Sequence, residues 1–116
     1  MAGQALTPEL ALDYLGELST DIEAAVVLDR SKAVAAATDH DPQRAARLGE
    51  HVAALLERAG SAGDGAGQVE ISTADGSVYA VRAEHWSLAV VTRRRALPSL
   101  MFYDLRSVIG DLGDGT

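Results

Sequence analysis

The sequence predicts one α+β domain with the order α-β-β-α-β-β-β-α around a largely antiparallel sheet. Three observations carry this. Apolar residues recur at helical spacing in three segments, two of which open on a capping residue followed by proline. Five short runs rich in Val, Ile, Thr and Ala separate them. The strand-to-strand links are short except where the second helix intervenes, so most neighbours must run antiparallel.

Helix 1 starts at Thr7-Pro8, a hydroxyl cap followed by a residue whose missing N–H costs nothing in the first turn. Leu10, Ala11, Tyr14, Leu15 and Leu18 form its apolar stripe, and Ser19-Thr20-Asp21 ends it. Strand 1, Ile22 to Leu28, is apolar on both faces after Glu23, as a strand covered on both sides must be. Asp29 to Lys32 is a turn, and strand 2, Ala33 to Thr38, is its hairpin partner.

Helix 2 opens on Asp41-Pro42 and runs to about Ala59, before Gly60. At about 100° per residue, Leu48, Val52, Leu55, Leu56 and Ala59 form one stripe. Ala45, Ala46, Gly49 and Ala53 widen it to about 180°, more than the roughly 100° that one contact requires. Two neighbours are therefore expected: the sheet under the large residues, and another helix against the small ones.

Ser61 to Gly67 is a small-residue loop. Strand 3, Gln68 to Thr73, alternates, with Val69, Ile71 and Thr73 on one side and Glu70 and Ser72 on the other. Asp75-Gly76 marks a hairpin to strand 4, Ser77 to Ala83. Glu84-His85-Trp86 links it to strand 5, Ser87 to Thr92, which is again central in character. Arg93-Arg94-Arg95 follows. Helix 3 opens at Leu97-Pro98 with Leu97, Met101, Leu105, Val108 and Leu112 on one face, flanked by Leu100 and Ile109; Gly110 to Thr116 reads as a frayed acidic tail. Strands 1 and 5 belong in the middle of the sheet, and strands 2 and 3 at its edges.

The composition excludes several classes of function. At 116 residues the chain is one domain, with an ordered core expected over about 7–112. It is 47% hydrophobic but 4% aromatic, so Ala, Val, Leu and Ile must build the core. A core of that kind in a small domain gains from further burial at a subunit interface. The net charge of -7 opposes binding to nucleic-acid phosphates and anionic membranes. There is no cysteine, which removes disulfides and thiol chemistry. No apolar run approaches the roughly 20 residues of a membrane span, and the first ten residues do not pattern as a secretory signal. A cytoplasmic protein is expected.

The run Ala25-Val26-Val27-Leu28-Asp29-Arg30, the small-residue strand after it, the Asp-capped helix, the meander with Asp75-Gly76 and the Leu-rich last helix together resemble the roadblock (dynein light chain) domain family. The resemblance spans about Leu10 to Leu112, and its specificity lies in the order and spacing of motifs. Lys32 departs from it, since many members carry glycine there. The resemblance implies a three-layer roadblock (longin/profilin-like) fold: a five-stranded antiparallel sheet with helices 1 and 3 on one face and helix 2 on the other. It further implies a homodimer made by strand 3 pairing with its mate and helix 2 packing on helix 2, and a regulator or scaffold for a small Ras-like GTPase. On that reading Ala45, Ala46, Gly49, Ala53, Val69, Ile71 and Thr73 are the dimer interface.

Other candidates are weaker. Asp39-His40-Asp41 is the nearest approach to a metal cluster, but a cap on helix 2 explains it and further ligands are not evident. The glycine-rich loop follows a helix and opens a strand, the reverse of a phosphate-binding loop. Arg93, Arg94 and Arg95 suit an acidic partner, or an arginine offered to a GTPase, against the plainer reading of a solvated strand end. Trp86 and Tyr103 are possible interface anchors. No spacing supports a catalytic, cofactor or metal site, so a non-enzymatic interaction module is expected. The alternative is a sensory domain holding a small ligand between sheet and helices.

Overall fold

The computed structural model of the chain describes residues 6–61, 67–72, 76–93 and 98–112. The elements are α1 (Pro8–Leu18), β1 (Ile22–Leu28), β2 (Val34–Ala37), α2 (Pro42–Ser61), β3 (Gln68–Ser72), β4 (Ser77–Arg82), β5 (Ser87–Thr92) and α3 (Pro98–Asp111). The order is the expected one. The strands form a single sheet in the order β2-β1-β5-β4-β3, and each neighbouring pair is antiparallel. β1 and β5 are interior and β2 and β3 are the edges, as their apolar patterns required.

Alternation divides the sheet residues between two cores. Ala25, Val27, Tyr79, Val81, Leu88 and Val90 face α1 and α3, which contribute Ala11, Leu12, Leu15, Met101, Leu105, Val108, Ile109 and Leu112. Val26, Leu28, Ala80 and Ala89 face α2, which contributes Val52 and Leu56. Helices 1 and 3 therefore cover one face and helix 2 the other. The few aromatic rings sit on the first side: Tyr79 is fully buried and meets Phe102 edge to face at 5.4 Å between ring centroids.

Local details follow from side-chain chemistry. Thr7 caps α1, its hydroxyl accepting from the Leu10 amide at 3.2 Å. Asp41 does the same for α2, accepting from the Gln43 amide at 2.9 Å. In the β1–β2 turn, one oxygen of Asp29 accepts from the Ser31 and Ala33 amides and the Ser31 hydroxyl. Those donors hold the Asp29 carboxyl below its ordinary pKa, the Ser31 hydroxyl contributing most. Lys32 closes the turn at φ 71, a left-handed conformation that glycine adopts without strain. Gly76 is demanded by space: a Cβ there would overlap the Thr92 carbonyl oxygen.

Three expectations need correction. The face that α1 buries is rotated: Ala11, Leu12 and Leu15 are buried, while Leu10, Tyr14 and Leu18 are exposed. α2 does not stop before Gly60 but continues to Ser61. α3 runs through Gly110 to Asp111, and Leu112 is buried because the Leu6 amide donates to the Asp111 carbonyl and ties the two ends together. Leu97, Thr73 and Asp75 lie outside the described residues.

Candidate interaction surface

The surface is built from the free sides of α2 and β3. α2 rests on the sheet through Ala45, Gly49, Val52 and Leu56, all buried. Its closest approach is at Gly49, where an added Cβ would come within 3.0 Å of both Leu28 Cδ2 and Val34 Cγ2. The small residues at Ala45 and Gly49 therefore seat the helix on its own sheet. Within one copy of the chain both are buried there. Ala53 is half-buried against the same core, and only Ala46 of the four is exposed.

The two flanks of α2 differ. One carries Glu57, whose carboxylate meets Lys32 Nζ of the β1–β2 turn at 2.6 Å. That contact lowers the Glu57 pKa. Leu48 and Leu55 lie about 160–180° around the helix, on the flank directed away from the hairpin and toward the β3 side of the sheet. Leu48 packs partly on the α2-side core, and Leu55 is half-buried outside both cores. Leucines left partly uncovered at an element's flank are what a neighbour would cover. The outer crest between the flanks is mixed, with Arg47, Glu50, His51, Ala54 and Arg58 exposed.

β3 supplies the second part. The Arg82 amide donates to the Gly67 carbonyl, and the register continues Val69 to Ala80 and Ile71 to Val78. Antiparallel alternation then turns the amides and carbonyls of Gln68, Glu70 and Ser72 away from β4, toward the open edge. Side chains alternate as expected. Val69 packs toward α2, Ile71 shares that face with 36% of its surface exposed, and Gln68 faces the other way, accepting from Arg106 of α3 at 3.0 Å. Thus Val69, Ile71, Leu48 and Leu55 share one side of the molecule with an unpaired strand edge. Thr73 belongs to this set by sequence but lies outside the described residues.

The remaining candidates are placed as follows. Arg93 is exposed, its amide donating to the Asp21 carbonyl, while Arg94 and Arg95 lie outside the described residues. Asp39 forms an ion pair with Arg44 at 2.8 Å and accepts from the Asp41 amide; the Arg44 hydrogen bond leads in holding its pKa down. Among the described residues no group of three or more His, Asp or Glu side chains is placed to hold a metal ion. His85 accepts at Nδ1 from Arg30 at 2.6 Å, tying the β4–β5 link to the β1–β2 turn. Trp86 packs partly on the α1/α3 core, whereas Tyr103 is 70% exposed. An open groove of about 470 Å³ runs along the sheet edge between α1 and β2, lined by Glu9, Leu12, Asp13, Ala36, Ala37, Thr38 and His40. No helix of the described chain is long and apolar enough to cross a membrane.

No protein-family model matches the sequence, and no curated protein matches it. Solved structures do. A roadblock/LC7 domain from Streptomyces avermitillis superposes with a TM-score of 0.69 at 20% identity, covering 88% of this chain and 94% of its own. The gliding protein MglB from Thermus thermophilus gives 0.64 at 18% identity, with 97% and 94% covered. An MglB in a tetrameric arrangement gives 0.61 at 17%, with 94% and 93% covered.

Proposed function

From the roadblock/LC7 fold as its premise, we propose that this chain is a non-catalytic, homodimeric interaction module that regulates or tethers a small Ras-like GTPase. The observation that carries self-association is the open β3 edge lying on the same side as Val69, Ile71 and the partly buried Leu48 and Leu55. Strand addition satisfies the outward amides and carbonyls of Gln68, Glu70 and Ser72, and the adjoining leucines supply apolar burial. That an MglB of this fold is found in a tetrameric arrangement supports assembly as a habit of the fold. The GTPase as partner rests on the family resemblance.

Sedimentation equilibrium at micromolar concentration tests the first part. The wild type is expected to be a dimer, and Leu55→Glu combined with Ile71→Glu a folded monomer; a monomeric wild type would sink the proposal. For the second part, the purified chain is mixed with a Ras-like GTPase from the same organism. Co-elution, or a changed rate of GTP hydrolysis or nucleotide release, is expected, and neither occurring removes the GTPase as partner.

A further inference from the structure

The face of the sheet opposite α2 carries a second surface. α1 and α3 lie antiparallel across it. Their near ends meet where α1 feeds β1 and β5 leads to α3, since Ile22 pairs with Thr92. Their far ends meet at the Leu6–Asp111 hydrogen bond of 2.8 Å.

Among the described residues seven large hydrophobic side chains are at least 36% exposed, and five of them belong to these two helices. Leu10, Tyr14 and Leu18 repeat every four residues along one flank of α1, at 52%, 44% and 42% exposure. The other flank faces β2, because Glu9, Leu12 and Asp13 line the groove there. The apolar flank is therefore turned toward α3. On α3, Arg106 reaches across to Gln68 of β3, so Leu100 and Asp104, well round from it, lie on the side nearer α1; Tyr103 stands on the crest. Together these side chains form an apolar channel between two helices.

The charge on α1 has one sign, and among the described residues the base nearest its C-terminal end is the exposed Arg93, whose amide meets the Asp21 carbonyl. The acids of α1 are Glu9, Asp13 and Glu17: Glu9 and Asp13 line the β2 groove, and Glu17, one turn from Tyr14 and two from Leu10, stands beside the apolar flank. α1 contains no lysine or arginine, and Asp104 adds a further acid from α3. We propose that this channel docks a basic amphipathic helix of a partner protein, its apolar side seated on Leu10, Tyr14, Leu18, Leu100 and Tyr103 and its lysines or arginines paired with Glu17 and Asp104. An apolar stripe flanked by acids selects such a ligand over an acidic or purely apolar one. The channel lies on the opposite face of the sheet from α2, so both surfaces can be occupied together.

The probe is a labelled synthetic peptide of about five helical turns with leucines on one face and lysines on the other. Anisotropy titration is expected to give a micromolar Kd that weakens with salt. A glutamate-for-lysine peptide and a scrambled lysine peptide should each bind at least about tenfold more weakly. Leu10→Ser with Tyr103→Ser should cost a similar factor, as should Glu17→Lys; these side chains are exposed, and far-UV circular dichroism checks that the fold persists. Leu55→Ser should leave the affinity unchanged. Equal binding of the scrambled peptide, insensitivity to the channel substitutions or loss of binding on Leu55→Ser would each overturn the proposal. So would partition of the chain onto phosphatidylcholine vesicles through the same residues, which would make the channel a lipid-facing surface.

Discussion

At Gly49 one missing carbon sets the spacing between a helix and the sheet beneath it. Leu28 and Val34 fill the space a side chain would need, so a large residue there must push α2 off the sheet. Gly49→Leu is expected to destabilise by about 1–3 kcal/mol, read as a lower urea midpoint. Gly49→Ala should be near neutral, because helix propensity returns roughly what the tight fit removes. Lys32 is the opposite case, a side chain where the backbone favours none. Lys32→Gly should raise stability by up to about 1 kcal/mol through relief of the left-handed conformation, less the exposed pair with Glu57. Acid tests the ion pairs. The Asp39 and Glu57 carboxyls have folded pKa values below their unfolded ones, so they favour the fold above the ordinary carboxylate range and lose that contribution as pH falls through it. The melting temperature of Arg44→Gln should therefore fall less than that of the wild type between about pH 5 and 3.

Among the elements, those with a short repeat were legible and those with excess apolar residues were not. The alternation of Val69 and Ile71 gave the faces of β3 correctly, and the two-sided apolar runs placed β1 and β5 inside the sheet. α1 misled because its apolar positions span about 200°, so either Leu10-Tyr14-Leu18 or Leu12 could complete the buried face with Ala11 and Leu15. Which one does so depends on where α3 and β2 lie, and that is fixed by the whole sheet. The pattern of α2 alone leaves two readings, because small residues allow close approach to a sheet as readily as to another helix; at Gly49 the tips of Leu28 and Val34 lie at the sheet side. For β3 the open backbone groups limit how two copies can pair. A two-fold axis at Glu70 would set like charges opposite each other, whereas an axis at Ile71 sets Glu70 opposite Ser72. With no native cysteine to interfere, Ile71→Cys should cross-link two protomers under mild oxidation and Glu70→Cys should not, as non-reducing electrophoresis would show.

At the scale of the molecule, a small aliphatic core stands to gain from further burial against a second copy. If β3 and α2 form the dimer, the melting temperature should rise with protein concentration, and the Leu55→Glu, Ile71→Glu variant should lose that dependence. The sheet order also carries a consequence for synthesis. β1 and β2 are a local hairpin, and β3, β4 and β5 a local meander, so each half can form from neighbouring residues. The join between halves is the β1–β5 ladder, whose partners Leu28 and Ser87 are far apart in the chain. Loop closure makes such a join late. A ribosome releases α1, β1, β2 and α2 first, and until Ser87–Thr92 emerges the inner edge of β1, destined to become the middle of the sheet, is bare. The most protected strand of the finished protein is then its most adhesive during translation, and chaperone binding to stalled chains should drop sharply once β5 has cleared the exit tunnel.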